Sequence, residues 1–152
     1  MKVFRLSQKR YAYELSGKGA AIKGGRWNSS GVEMIYTAAN RSLAMAEVAV
    51  HFSLATMPED YMMITIEIPI DISILKLKTE DLPNNWNVFP HPNSTQKWGD
   101  KFVSNGKCLL MEVPSVVTKG DFNYLINVHQ QDFEKVKIVE VEPFPFDRRI
   151  FK

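Results

Sequence analysis

One carboxylate constrains this chain more than any other residue. Glu47 stands in the run Leu43-Ala44-Met45-Ala46-Glu47-Val48-Ala49-Val50, whose other members are all apolar. The run follows Asn40, a residue type that caps helix N-termini, so it reads as a helix from Arg41 to Phe52. Apolar side chains on nearly all of its sides predict a central position for that helix. A carboxylate buried there without a partner would cost several kcal/mol or be forced to take up a proton. Glu47 is therefore expected to face a polar pocket with a cation nearby. Arg26, in the turn Gly24-Gly25-Arg26-Trp27-Asn28, is the candidate cation.

A length of 152 residues suits one domain, 1–152, with a sizeable buried core. Net charge is only +2, and the lysines form no stripe, which argues against a nucleic-acid groove. Cys108 is the single cysteine, so no internal disulfide forms and a reducing cytoplasm is expected. No apolar run approaches the ~20 residues that span a bilayer, and the first residues lack an apolar signal core. No membrane association is expected.

Val3 to Leu6 reads as a short strand containing Arg5, and Ser7 to Tyr13 as a turn or short helix. Gly17, Gly19, Gly24 and Gly25, interleaved with Lys18 and Lys23, read as a loop whose backbone can approach a ligand closely. Neither standard nucleotide-binding glycine pattern is present. Met34 to Ala38 is a predicted strand. Ile64, Ile66, Ile68 and Ile70 alternate with Thr65, Glu67 and Pro69, the pattern of a half-buried strand, with Pro69 marking a sheet edge or an exit from the sheet. Thr79 to Pro92 holds three prolines and reads as a surface excursion. Asn93 or Ser94 is expected to cap a helix that runs to about Ser104 and ends at Gly106. Lys107 to Val113 and Val136 to Val141 are the remaining predicted strands. Phe144, Phe146 and Phe151 are expected to tie the tail to the core. Short strands with few helices between them favour a mixed α+β fold over a doubly wound one.

Five residues are candidates for chemistry. Arg26 offers a rigid fork of donors suited to phosphate or carboxylate, or else serves as the structural partner of a buried acid. Glu47 is the acid itself. Tyr36 and Trp27 have rings that stack on flat heterocycles, though such rings more often pack cores. Ser115 follows a strand and Pro114 but lacks the G-x-S-x-G elbow, so it fits a ligand hydrogen bond or a turn better than a nucleophile. His51, His91 and His129 show no metal-ligand spacing, so no metal site is expected. Cys108, within an apolar strand, reads as core.

Taken in order, Gly24-Gly25-Arg26-Trp27-Asn28, Ile35-Tyr36-Thr37-Ala38, Leu43-Ala44-x-Ala46-Glu47-x-x-Val50-His51, Val113-Pro114-Ser115-Val116-Val117, Asn123-Tyr124-Leu125-Ile126-Asn127 and Phe146-Asp147-Arg148-Arg149 resemble the RES domain family. The resemblance runs from about Val3 to Phe151 and departs at Val128, where many members have proline. The arginine, glutamate and serine of the family name fall on Arg26, Glu47 and Ser115. The resemblance implies a single domain similar in fold to ADP-ribosyltransferase toxins. It also implies the toxin half of a bacterial toxin–antitoxin pair. Such a toxin degrades NAD⁺ by hydrolysis or with phosphate as acceptor, or transfers ADP-ribose to a protein, with no cofactor beyond NAD⁺ as substrate. Its implied partners are a helix-turn-helix antitoxin that covers the active site, DNA only through that antitoxin, and a second toxin copy.

That chemistry fits the residues. Glu47 would stabilise positive charge on the ribose as the nicotinamide bond breaks, or bond the ribose hydroxyls. Arg26 would hold the pyrophosphate or orient the ribose. Tyr36 would stack on nicotinamide, with Trp27 shaping the wall or packing beneath. Ser115 and Asn127 would supply polar contacts, and Arg5, Lys18 and Lys23 would be further phosphate contacts. The sequence leaves water, phosphate and protein open as acceptors. A catalytically silent binding module is the reading from a different class, and the intact set Arg26, Tyr36, Glu47 and Ser115 counts against it.

Overall fold

In the computed structural model, which describes residues 1–151, every stretch read as a strand joins one seven-stranded sheet. The elements are β1 (Lys2–Gln8), α1 (Lys18–Lys23), β2 (Ile35–Ala38), α2 (Arg41–Ala49), β3 (Tyr61–Glu67), β4 (Ile74–Lys76), α3 (Asn93–Asn105), β5 (Leu110–Pro114), β6 (Phe122–Ile126) and β7 (Lys137–Pro143). The spatial order is β4-β5-β6-β2-β1-β3-β7. β4 and β5 run parallel, and every other neighbouring pair is antiparallel. The architecture is thus α+β with a mixed sheet, as the sequence predicts.

Strand alternation divides the sheet into two faces. Val3, Ile35, Ile64, Ile66, Leu110 and Ile126 share one face and form a single apolar cluster. The opposite face carries two clusters side by side. Leu6, Ala38 and Met63 pack there with Leu43 and Ala44 of α2 and with Phe146 and Phe151 of the tail. Met111, Val113 and Leu125 pack with Trp27, Trp86 and Phe102 of α3. The site forms on this second face.

Several expectations change in three dimensions. α2 ends at Ala49 and buries only Leu43 and Ala44, while Val50 is 59% exposed. The helix lies across one face of the sheet rather than at the centre of the molecule, so its apolar surface exceeds what the sheet covers. Asn40 does cap it, accepting from the Leu43 N–H at 2.8 Å. β3 starts three residues earlier than the isoleucine pattern suggests and is buried on both faces from Met62 to Ile66. Its neighbours are β1 and β7, so it is no edge strand. Pro69 falls beyond its end and Ile70 is 94% exposed. The glycine-rich stretch contains the short helix α1, closed by Gly24 at φ +75°. α3 starts after Pro92 with no side-chain cap, so neither Asn93 nor Ser94 takes that role. Gly106, at φ +64°, ends it as expected. The aromatic tail is held by Tyr61–Phe146, Phe144–Phe146 and Phe146–Phe151 ring contacts with centroids 5.8, 5.3 and 5.6 Å apart.

Candidate active site

Glu47 projects from the last turn of α2 towards the β5–β6 hairpin. Its Oε1 accepts the Ser115 hydroxyl at 2.7 Å and the Asn123 Nδ2–H at 2.6 Å. Ser115 is itself fixed: its Oγ accepts from the Val117 and Thr118 N–H groups at 3.1 and 3.0 Å, and its N–H donates to the Asp121 carbonyl at 2.9 Å. Asn123 stands opposite Val113 across the hairpin, which places it on the same face as Ser115 two residues further on. Glu47 Oε2 bonds no protein donor among the described residues. One carboxylate oxygen is clamped and the other is left for a ligand.

Arg26 is not the direct partner of Glu47. Its Nη1 donates to the Trp86 and Val88 carbonyls at 2.8 and 2.9 Å, anchoring the excursion before α3, and no ion pair with Glu47 forms among the described residues. Neutral donors, rather than the expected cation, satisfy the carboxylate. The two charges still feel each other. Burial lowers the proton affinity of the guanidinium, and the charge of Glu47, then that of Tyr36, raises it. The Nε and Nη2 groups of Arg26 remain without a protein acceptor among the described residues.

Tyr36 on β2 faces the same side. Its hydroxyl donates to Asn28 Oδ1 at 2.6 Å and accepts the Trp27 N–H at 3.0 Å. Burial pushes this phenol well above its usual range, opposed by the Trp27 hydrogen bond and the charge of Arg26. Asn28 is fully buried, and its Nδ2 donates to the Ala20 and Val32 carbonyls, each at 2.9 Å. Gly25 lies close by; a Cβ there would meet the Tyr36 hydroxyl at 2.8 Å, which explains glycine at that position.

α3 holds this loop from behind. Gln96 Nε2 donates to the Gly25 and Asn28 carbonyls at 3.0 and 3.1 Å, and Asp100 accepts from the Ser29 N–H and hydroxyl at 2.8 and 2.5 Å. Gly99 lies between them on the same helix face, where a Cβ would fall 1.5 Å from the Trp27 carbonyl oxygen. Trp27, 4% exposed, packs on Trp86 with ring centroids 6.5 Å apart, so it supports the site from beneath. Beside Ser115 a cavity of about 330 Å³ opens between Thr79, Trp86 and Asn87 on one side and Val116 and Lys119 on the other. Among the described residues, no group of three or more His, Cys, Asp and Glu side chains is placed to hold a metal ion.

The structure thus brings together Glu47 and Ser115, sets Arg26 and Tyr36 on the same face, and puts Trp27 under them. It separates the others. Asn127 is fully buried, and its Nδ2 donates to the Val103 carbonyl at 3.2 Å while its Oδ1 accepts the His129 N–H at 3.0 Å, so both ends of its amide tie β6 to α3 and the following turn. Arg5 alternates with Phe4 and Leu6 and shares the far sheet face with Val3, away from Glu47. Burial lowers its proton affinity. Lys18 and Lys23 are exposed on α1. Sequence reasoning missed Asn123, Asn28, Gln96 and Asp100. For Asn123 a signal existed: Asn123 and Asn127, the latter one residue past the end of β6, are four apart along an extended run with apolar Leu125 between them, but the sequence alone does not say which one meets Glu47.

An α+β domain with a mixed sheet and a clamped carboxylate on one face is a fold with known relatives. The structure superposes on a chain of the crystal structure of the M. tuberculosis MbcT–MbcA toxin–antitoxin complex with a TM-score of 0.76 at 20% identity, covering 94% of this chain and 83% of that one. The RES domain family model matches residues 2–147. The chain belongs to the RES domain family and is a toxin-type protein. Among curated relatives, "Toxin Res" of Yersinia enterocolitica is 34% identical, with 99% of each chain covered. The "Prs ADP-ribosylating toxin" of a Sphingobium strain is 32% identical over 93% of this chain and 89% of its own length.

Proposed function

We propose that this chain is the toxin of a toxin–antitoxin pair and consumes NAD⁺ by breaking the bond between nicotinamide and ribose. The observation that carries the reading is the Glu47 carboxylate, with Oε1 clamped by Ser115 and Asn123 and Oε2 unbonded. Breaking that bond leaves the electron pair on the nicotinamide nitrogen, which departs neutral, and positive charge builds on the ribose carbon and ring oxygen. A fixed carboxylate beside the ribose stabilises that charge without reorganising. The acceptor, water or phosphate, then bonds the ribose carbon and gives up a proton. Tyr36, its hydroxyl held by Asn28 and Trp27, offers its ring to nicotinamide. Arg26 offers its two unoccupied donor groups to the pyrophosphate. No cofactor beyond NAD⁺ itself enters this scheme.

Transfer of ADP-ribose to a protein is the second reading. The name of the Sphingobium relative, an ADP-ribosylating toxin, favours it, and the same bond cleavage serves it. In either case an antitoxin with a DNA-binding domain is the expected partner, masking the Glu47 face in a cytoplasmic complex.

NAD⁺ turnover by the purified chain, with and without phosphate and with cell lysate, tests the proposal. Free nicotinamide with ADP-ribose marks hydrolysis, and an ADP-ribose phosphate formed only with phosphate marks phosphorolysis. Labelled protein in the lysate marks the second reading. The Glu47→Gln variant should keep its fold and lose about 100-fold or more in kcat. Intact NAD⁺ under every condition would overturn the proposal in favour of a silent binding module.

A further inference from the structure

Three asparagines on or beside the site face differ in one respect. Asn28 uses both ends of its amide on structure, Oδ1 for Tyr36 and Nδ2 for two backbone carbonyls. Asn127 does the same, with His129 at one end and Val103 at the other. Asn123 does not. Among the described residues, its Nδ2 donates only to Glu47 Oε1, at 2.6 Å, and its buried Oδ1 has no hydrogen-bond partner. Folded chains rarely leave a buried amide oxygen unpartnered, and each instance calls for an explanation. Turning the amide over gives no relief, because Oδ1 would then press against a carboxylate oxygen. The side chain therefore makes no bond to the backbone around β6, and its one bond goes to Glu47.

We propose that Asn123 is the positioning residue of this site: together with Ser115 it pins Oε1 of Glu47 and so decides that Oε2 is the oxygen presented to the ligand. Neither donor suffices alone. The Ser115 hydroxyl gives one hydrogen bond, about which the carboxylate can still swing, whereas a second donor from the neighbouring strand fixes its plane. The charged and titratable groups that the neighbouring elements carry are Arg26 in the loop before β2, Lys119 and Asp121 on the β5–β6 turn, and His51 two residues past the end of α2. The inference rests on the reading of Glu47 as the carboxylate that acts on the ribose.

The test uses Asn123→Ala and Asn123→Asp in the full chain. Asn123→Ala should lose about 10- to 100-fold in kcat with KM nearly unchanged, the pattern for loss of an orienting partner. Its melting temperature should change little, since loss of the hydrogen bond to Glu47 is offset by removal of a buried unpartnered oxygen. Asn123→Asp should be poor at neutral pH, where two carboxylates face each other. It should recover relative to wild type as the pH drops, because one shared proton lets the aspartic acid donate to Glu47 as the amide did. Wild-type kcat in Asn123→Ala, its unfolding, or a folded Asn123→Asp with no recovery in acid would each overturn the inference. A crystal structure of Asn123→Ala separates this from the proposed function: a carboxylate that has rotated off its present orientation supports positioning, and one that has not moved overturns it, whatever happens to NAD⁺.

Discussion

At the scale of single residues, the site is built on neutral hydrogen bonds rather than on ion pairs. Glu47 is met by a hydroxyl and an amide, and Tyr36 by an amide oxygen and a backbone N–H. Neutral donors hold a carboxylate without cancelling its charge, which suits the role proposed for Glu47 beside a developing cation. The Tyr36 hydroxyl carries the fixed geometry of the Arg26 loop. In Tyr36→Phe the fully buried Asn28 loses the donor at its Oδ1, and the Trp27 N–H loses its acceptor. Each orphaned group costs about 1–3 kcal/mol. Denaturant unfolding of Tyr36→Phe should show a loss in that range or above; equal stability would mean the loop does not depend on this hydroxyl.

At the scale of elements, α3 is the scaffold of the glycine loop. Gln96, Gly99 and Asp100 lie on one face of it, at the spacing that brings helix residues together, and all three meet the backbone or side chains of residues 25–29. Gly99 is the sharpest point of contact, since an added Cβ would strike backbone that has no side-chain freedom to yield. Gly99→Ala should destabilise by about 3 kcal/mol or more, the upper range for overpacking, and should displace Arg26 with the loop. Gly19→Ala is the contrast. A Cβ there meets nothing within 4 Å, and the position is helical, so stability should rise by up to about 1 kcal/mol. Equal thermal stability of the two variants would refute the account of α3.

At the scale of the whole molecule, buried phenols set how the fold responds to alkali. Burial raises Tyr36 and Tyr61, and Tyr124 is pushed up to about 12 by burial, then by its hydrogen bond to Glu112 at 2.6 Å and the charge of that carboxylate. Each phenol is protonated in the folded chain at a pH where the unfolded chain has begun to lose its proton. The contribution of Tyr124 is therefore fully present below about pH 10, the unfolded value, and is lost as pH rises towards its folded value of about 12. Unfolding free energy measured across that window should fall, and should fall less steeply in Tyr124→Phe. A variant slope as steep as wild type would remove Tyr124 from the explanation. Partial burial of these phenols follows from the topology, in which β2, β3 and β6 all lie inside the sheet with neighbours on both sides.

How much of this was legible in the sequence depends on the range of the forces involved. Local chemistry fixed the Asn40 cap, the Gly106 stop, the strand at Tyr36 and the oddity of a lone acid in an apolar helix, because each depends on residues within a turn of one another. The ordered motifs placed the chain in its family. Strand burial was misjudged at β3, since period-2 alternation reports one covered face and says nothing of a second layer across the sheet. What only the tertiary structure decided is who meets whom. Glu47, Ser115 and Asn123 converge because β6 pairs with β2, over which α2 packs, so the end of the β5–β6 hairpin comes alongside that helix; the two apolar clusters on that face stabilise the arrangement, rather than the polar residues themselves. Arg26 is drawn to the Trp86 and Val88 carbonyls because its loop packs there. A sequence lists donors and acceptors; the packing of apolar surface assigns them to one another.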